Sequence, residues 1–200
     1  ATNLSAGTYT VSVLDQNNCS ASITINIIQP SSALSSSISS AVNPSCYAGY
    51  GSATVTSAGG TIPYSYSWST SPVQMGSTAT NLSAGSYTVT TIDANGCTAT
   101  STVIITQPTQ VITTVGPNDT ICLGQSTTLT ATASGGAGNY YYAWYPVGII
   151  NSGTLTITPS TNTTYIVIAY DQNGCMGTPD TVSVIVYSLT PANVQVMPQE

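Results

Sequence analysis

The 200-residue chain has no lysine, arginine, histidine or phenylalanine, and six acidic side chains give it a net charge of −6. With no cation to neutralise phosphates, binding to nucleic acid or to anionic membrane surfaces is excluded. With no His or Lys to serve as base, triad-type nucleophilic catalysis is excluded too. Solubility rests on Ser, Thr, Asn and Gln, a surface expected to respond little to salt. No stretch approaches the roughly 20 apolar residues of a membrane span, and no signal peptide is present.

In chain order, Thr2 to Pro30 (TNLSAGTYTVSVLDQNNCSASITINIIQP) reads as a β-hairpin. Residues Leu34 to Val42 form a weak Ser-rich strand, and Gly51 to Ser57 (GSATVTS) a second. Gly59-Gly60 turns the chain into Ile62 to Ser69 (IPYSYSWS), where Tyr64, Tyr66 and Trp68 alternate onto one face. Ser77 to Asn81 is a short crossing segment. Thr80 to Pro108 (TNLSAGSYTVTTIDANGCTATSTVIITQP) repeats the opening hairpin, its strands joined by Asp93-Ala94-Asn95-Gly96. Asn-Gly between β-branched runs predicts a type I′ turn with two positive-φ residues.

The pattern then returns. Gln125 to Ser134 matches the second strand, Gly135-Gly136 the glycine turn, Asn139 to Tyr145 (NYYYAWY) the aromatic strand, and Thr161 to Tyr187 the hairpin. The hairpin cysteines Cys19, Cys97 and Cys175 are evenly spaced, 97 − 19 = 78 and 175 − 97 = 78. Tyr9, Tyr87 and Tyr165 each stand 10 residues before them, and Trp68 and Trp144 each follow Cys46 and Cys122 by 22. A constant period is the mark of an array. Short strands with period-2 alternation, one Trp per module and no helical periodicity predict an all-β fold of tandem immunoglobulin-like β-sandwich modules in a rod. The expected division is 1–30, the C-terminal part of a truncated repeat; 31–108, a complete repeat; 109–188, a second module; and 189–200, the start of a following module or linker. Both ends read as cuts in a longer protein, and Gln29-Pro30 and Gln107-Pro108 as stiff linkers.

Five cysteines are present. Paired within modules, they predict Cys46–Cys97 and Cys122–Cys175 disulfides, with Cys19 left over because its partner would lie upstream of Ala1. Each loop should contribute about 3–4 kcal/mol in the chain-entropy model, and an oxidising compartment follows. Wide spacing and the lack of His argue against a metal site, so no metal and no cofactor is expected. Asp15, Asp93 and Asp171 recur at one turn position, which reads as an Asx cap rather than as a catalytic acid. No catalytic residue is expected. Tyr64, Tyr66 and Trp68 are expected in the core, whereas Tyr141 and Tyr145, on the opposite face of their strand, are candidates for surface contact.

The residues NLSAG(T/S)YTV, D-x-N-G-C, the closing Q-P and GSATVTSAGGTIPYSYSWS together resemble the SprB-type repeat of large surface adhesins of the Bacteroidetes, including gliding-motility adhesins. The stretch ICLGQSTTLTATASGG…TITPSTNTTYIVIAYDQNGC resembles the PKD-like or Ig-like modules found beside it. This resemblance implies export by the type IX secretion route, an extracellular, cell-surface location and a role in adhesion or gliding motility. Asn18 in place of the turn glycine is a departure that Asn tolerates. Asp119-Thr120-Ile121 and Asp180-Thr181-Val182 resemble the Bacteroidetes O-glycosylation pattern, making Thr120 and Thr181 candidate glycan carriers; an Asp-Thr strand start is the alternative. The function expected is a non-catalytic structural stalk segment of a secreted adhesin. The alternatives are a subunit of an extracellular filament or sheath and a carbohydrate-binding accessory module. Expected partners are neighbouring modules of the same chain, and surface polysaccharide or other cells.

Overall fold

The computed structural model describes residues 1–150 and 152–188; the segment 189–200, read above as the start of a module or linker, lies outside them. All regular elements among the described residues are strands. They are β1 (Gly7–Leu14), β2 (Ser20–Ile27), β3 (Ser35–Val42), β4 (Gly51–Ala58), β5 (Ser65–Trp68), β6 (Thr78–Leu82), β7 (Gly85–Ile92) and β8 (Thr98–Ile105). There follow β9 (Ile112–Val115), β10 (Asp119–Cys122), β11 (Thr127–Ser134), β12 (Tyr141–Tyr145), β13 (Gly148–Ile150), β14 (Thr154–Ile157), β15 (Thr163–Tyr170) and β16 (Asp180–Tyr187). The chain divides into two compact units. One holds Ala1–Val42, Ser52–Leu82 and Ser86–Ile104; the other holds Asn43–Gly51, Ser83–Gly85 and the described residues from Ile105 onward.

In the first unit β3-β4-β6 and β5-β7-β8 form two three-stranded sheets. This is the A-B-E and C-F-G strand order of an immunoglobulin-like sandwich. The predicted crossing segment is β6, hydrogen-bonded along β4. Trp68, on the C strand, is 1% exposed and packs in a core with Val55, Leu82 and Val89; its Nε1 donates to the Gly76 carbonyl at 2.9 Å. Part of this core is polar. Thr91 is fully buried, and its hydroxyl joins those of Ser36 (3.3 Å) and Ser57 (3.1 Å). The β1-β2 hairpin repeats β7-β8, but Val11 and Val13, counterparts of the buried Val89 and Thr91, are 50% and 65% exposed.

The second unit has the same plan with more strands. Sheet β14-β11-β9 is E-B-A, and sheet β10-β16-β15-β12-β13 is A′-G-F-C-C′, with β10 parallel to β16. Trp144 is again the buried C-strand tryptophan, packed with Leu129, Leu155, Tyr165, Val167 and Val184. Strands β9, β13 and β14, each of three or four residues, were not among the sequence expectations, and β10 was there only as the Asp-Thr strand start set against glycosylation. Four residues show too little alternation to stand out, and the parallel β10–β16 pairing joins segments far apart in the chain.

Outer faces that carry almost no charge are finished with hydroxyl pairs across the strands. Thr10 meets Thr24 at 3.3 Å, Ser37 meets Thr56 at 3.3 Å, Thr88 meets Thr102 at 3.2 Å, Thr128 meets Thr156 at 2.9 Å, and Thr164 meets Ser183 at 3.0 Å. Such cross-strand pairs reinforce register, and β-branched Thr favours the strand.

The hairpin turns correct one expectation. Gly96 (φ 81°), Gly174 (φ 78°) and Asn18 (φ 60°) are the left-handed residues, while Asn95, Asn173 and Asn17 are not. Each turn closes by an N–H from its fourth residue to the Asp carbonyl, at 3.0 Å for Gly96→Asp93. These are therefore type I turns followed by a left-handed bulge residue, not type I′. The cause is the aspartate. Its Oδ1 accepts the N–H two residues on (Asn95 at 2.9 Å, Asn173 at 2.9 Å, Asn17 at 2.8 Å) and so holds the middle of the turn right-handed.

Candidate functional site at the hairpin turns

Each hairpin turn is a junction built by its aspartate. Oδ1 of Asp93 also takes the Cys97 N–H at 2.8 Å, and Oδ2 takes the Thr61 N–H at 2.9 Å, just past Gly59-Gly60. Asp171 does the same with Cys175 at 2.9 Å and Ala137 at 2.8 Å, just past Gly135-Gly136. The recurring Asp is thus an Asx cap that also pins the glycine turn against the hairpin. Burial by itself raises the pKa of Asp93 and Asp171, but the converging backbone N–H donors outweigh it, and both carboxyls sit below the ordinary aspartate value. A lowered folded pKa stabilises the fold above the unfolded value, near 3.9, and that contribution disappears as pH falls through the folded one. The melting temperature is therefore expected to be flat from pH 7 to 5 and to fall below about pH 4. Asp171→Asn is expected to melt lower at pH 7 and to lose part of this acid limb.

The glycine pair is required by space as well as by φ. Gly135 and Gly136 lie at φ 81° and 58°; a Cβ on Gly136 would stand 2.4 Å from Asp171 Oδ2 and 2.6 Å from Val111 Cγ2. Gly138, at φ 77°, has nothing within 4 Å of such a Cβ. Gly136→Ala is expected to cost more than about 2 kcal/mol, from the left-handed penalty plus overpacking. Gly138→Ala should cost about 1 kcal/mol, the backbone penalty alone. Denaturant unfolding of the two variants side by side checks this.

Beside the Asp171 turn lies the disulfide of the structure. Cys46 is bonded to Cys175, with Cα atoms 5.5 Å apart and a sequence separation of 129. Cys19, Cys97 and Cys122 are exposed free thiols. The expected Cys46–Cys97 and Cys122–Cys175 pairings are thereby corrected. Strand length explains why. Cys46 precedes the start of β4, whereas the far end of β4 leads into Gly59-Gly60, which Asp93 holds next to Cys97. Eight residues of strand span about 26 Å, while a disulfide needs Cα atoms within about 7 Å. The same count along β11 separates Cys122 from the Asp171 turn.

The bond is internal to the second unit and joins the β3–β4 loop of one sequence repeat to the hairpin turn of the next. The loop is seated by more than sulfur. Asn43 Oδ1 accepts the Thr106 N–H at 2.9 Å, Gln107 Oε1 accepts the Ala48 N–H at 2.9 Å, and Pro44 is buried. Cys46 opens a tight turn closed by Gly49 N–H to its carbonyl at 3.2 Å, with Ala48 left-handed at φ 57°. Gln107, read from the sequence as part of a linker, is here the acceptor that holds the loop. Its Q-P signature marked a strand end and gave no sign of that contact.

The remaining candidates fall elsewhere. Thr120 and Thr181 are exposed, and Asp119 and Asp180 begin β10 and β16. Both aspartates accept the N–H of the following threonine, at 2.7 and 2.8 Å. The Thr127 hydroxyl and that N–H hold Asp119 below the ordinary value against burial. Tyr141 is half-buried and stacks on Tyr170 at 5.1 Å, whereas Tyr145 is 48% exposed. Tyr64 and Tyr140 each donate to a glycine-turn carbonyl, Gly59 and Gly135, at 2.6 Å. Among the described residues no three His, Cys, Asp or Glu gather as a metal site, and no helix is long and apolar enough to cross a membrane.

Strand order, the buried C-strand tryptophans and the repeated turn junction define an all-β chain of immunoglobulin-like sandwiches. Residues 38–73 match the family model of the SprB repeat; the chain carries an SprB-type repeat with an Ig-like module beside it. No curated protein matches the chain. Among solved structures it is similar to the three N-terminal domains of the highly immunogenic outer capsid protein (Hoc) of bacteriophage RB49. There the identity is 20% over 77% of this chain and 59% of that one, with a TM-score of 0.48. It is similar also to the fibronectin(III)-like modules of Clostridium thermocellum CbhA (16% identity, 82% and 99% coverage, TM-score 0.38). A third is Drosophila OTK, extracellular domains 3–5 (15% identity, 91% and 71% coverage, TM-score 0.39). The chain thus spans less than two thirds of the phage protein fragment, and the fold assignment rests on strand order rather than on these superpositions.

Proposed function

We propose that this chain is a non-catalytic stalk segment of a large, secreted cell-surface adhesin, in which residues 31–108 and 109–188 are successive modules. The observation that supports it most is the 78-residue recurrence of one hairpin junction, with the loop of one repeat bonded to the turn of the next. Such a device serves a chain of modules and has no role in an isolated one. A chain without Lys, Arg or His, with three of its five aspartates spent on hairpin turns and the other two at separate strand starts, offers no concentrated reactive centre. The disulfide favours an oxidising, extracellular setting, and the SprB repeat supports the cell surface. Export by the type IX route, gliding, and glycans at Thr120 and Thr181 are finer proposals drawn from that resemblance. Intact mass of the native protein is the test: hundreds of kDa supports the stalk, whereas about 20 kDa, the mass of this chain, would replace it with a filament subunit. Binding to surface polysaccharide that is lost on Tyr145→Ala would instead support a carbohydrate-binding module.

A further inference from the structure

We propose that the groove beside Cys97 is an unfilled seat for the cysteine loop of another repeat of this kind, and that Cys122 is the matching unused loop cysteine. The seat is recognisable because its twin is occupied. At the occupied site Cys46 is bonded to Cys175, and Cys46 and Tyr47 form one wall of a groove whose other walls include Gln110, Val111, Cys175 and Met176. The groove at Cys97, of roughly 380 Å³, is lined by the equivalent Ala33, Leu34, Cys97 and Thr98. The equivalence is geometric: the Ala33 carbonyl closes on Gly59 as the Gln110 carbonyl closes on Gly135, each leaving no room for a side chain. Gln29 borders the Cys97 groove. It stands 78 residues before Gln107, whose Oε1 accepts the Ala48 N–H of the seated loop.

The donor is recognisable in the same way. Cys122 opens a turn closed by Gln125 N–H to its carbonyl at 3.0 Å, with Gly124 left-handed at φ 87°. Cys46 opens the same turn, with Ala48 in the place of Gly124. One chain therefore carries a filled seat, an empty seat and a spare donor. An array of such repeats is stitched by bonds that each run from the loop of one repeat to the turn of the next. Each bond forms from two thiols, releasing two protons and two electrons to a protein disulfide donor, which is reduced to its dithiol.

The test uses the oxidised 200-residue chain and a peptide of residues 41–52 (AVNPSCYAGYGS) supplied as its symmetrical disulfide. The Cys97 thiolate attacks one peptide sulfur; a Cys97–peptide disulfide forms, and the second peptide leaves as thiolate and takes up a proton. Mass mapping follows Cys19, Cys97 and Cys122 in parallel, with recovery of Cys46–Cys175 as the check on folding. Cys97 is expected to react about tenfold faster than Cys19, which has the same turn position on an uncovered hairpin. Gln29→Ala should reduce that preference, and a scrambled peptide should abolish it. Equal rates at Cys19 and Cys97, or an equal preference with the scrambled peptide, would overturn the proposal. The inference takes the source of the loop from the stalk reading, but its failure would leave the native mass of the protein unchanged, so the two stand or fall separately.

Discussion

Replacing Cys46 and Cys175 together by serine is expected to lower the unfolding free energy by about 5 kcal/mol. That is the chain-entropy value for a loop closed across 129 residues. The effect exceeds that of either intra-repeat disulfide expected from the sequence because the closed loop is more than twice as long. The bond encloses every strand from β4 to β15, so its loss frees most of the unfolded chain. The denaturant slope should rise as well, since an unbridged unfolded chain exposes more surface. Cys97→Ser and Cys122→Ser, which remove exposed free thiols, should stay within about 0.5 kcal/mol of the parent. The reverse pattern, with Cys97→Ser costly, would restore the pairing within repeats. Urea unfolding of the four proteins under non-reducing conditions distinguishes the two.

Trp144→Ala is expected to cost about 3–5 kcal/mol, the range for a large aromatic deleted from a packed core. The side chain is 0% exposed and sits between the two sheets of the second unit, against Leu129 and Leu155 of β11 and β14. Trp68→Ala should cost a similar amount in the first unit, with the Gly76 carbonyl also left without its donor. Tyr145→Ala, at the neighbouring position but 48% exposed, should change stability by no more than about 0.5 kcal/mol. Thermal unfolding with tryptophan and tyrosine fluorescence reads all three. A Tyr145 variant as damaged as the Trp144 variant would mean that the faces of β12 have been assigned the wrong way round.

Much of this was legible in the sequence because the strongest local signals are also the structural ones. Alternation placed β3, β4, β5, β7 and β8 within a few residues, and the glycine pairs marked the B-to-C corners. The recurring Asp proved to be a cap because carboxylates at that turn have backbone N–H groups to satisfy before any chemistry. What was missed depends on distance in the chain. The Asn-Gly dipeptide pointed to a type I′ turn, and only the aspartate two residues earlier decides otherwise. The disulfide partners were assigned by module membership, although the eight residues of β4 already run between Cys46 and the glycine turn that Asp93 holds beside Cys97. Gln107 gave no sign because a side-chain amide that receives a distant loop leaves no periodic trace.

The connection of one repeat's loop to the next repeat's turn is tested most directly by a disulfide map. The lack of Lys and Arg rules out trypsin, but cleavage before aspartate separates the cysteines well: Cys19 and Cys46 fall in 15–92, Cys97 in 93–118, Cys122 in 119–170 and Cys175 in 171–179. With free thiols alkylated before unfolding, residues 15–92 should be recovered joined to 171–179, and 93–118 and 119–170 should each carry one alkyl group. Recovery of 15–92 joined to 93–118, with 119–170 joined to 171–179, would show that each repeat is closed on itself.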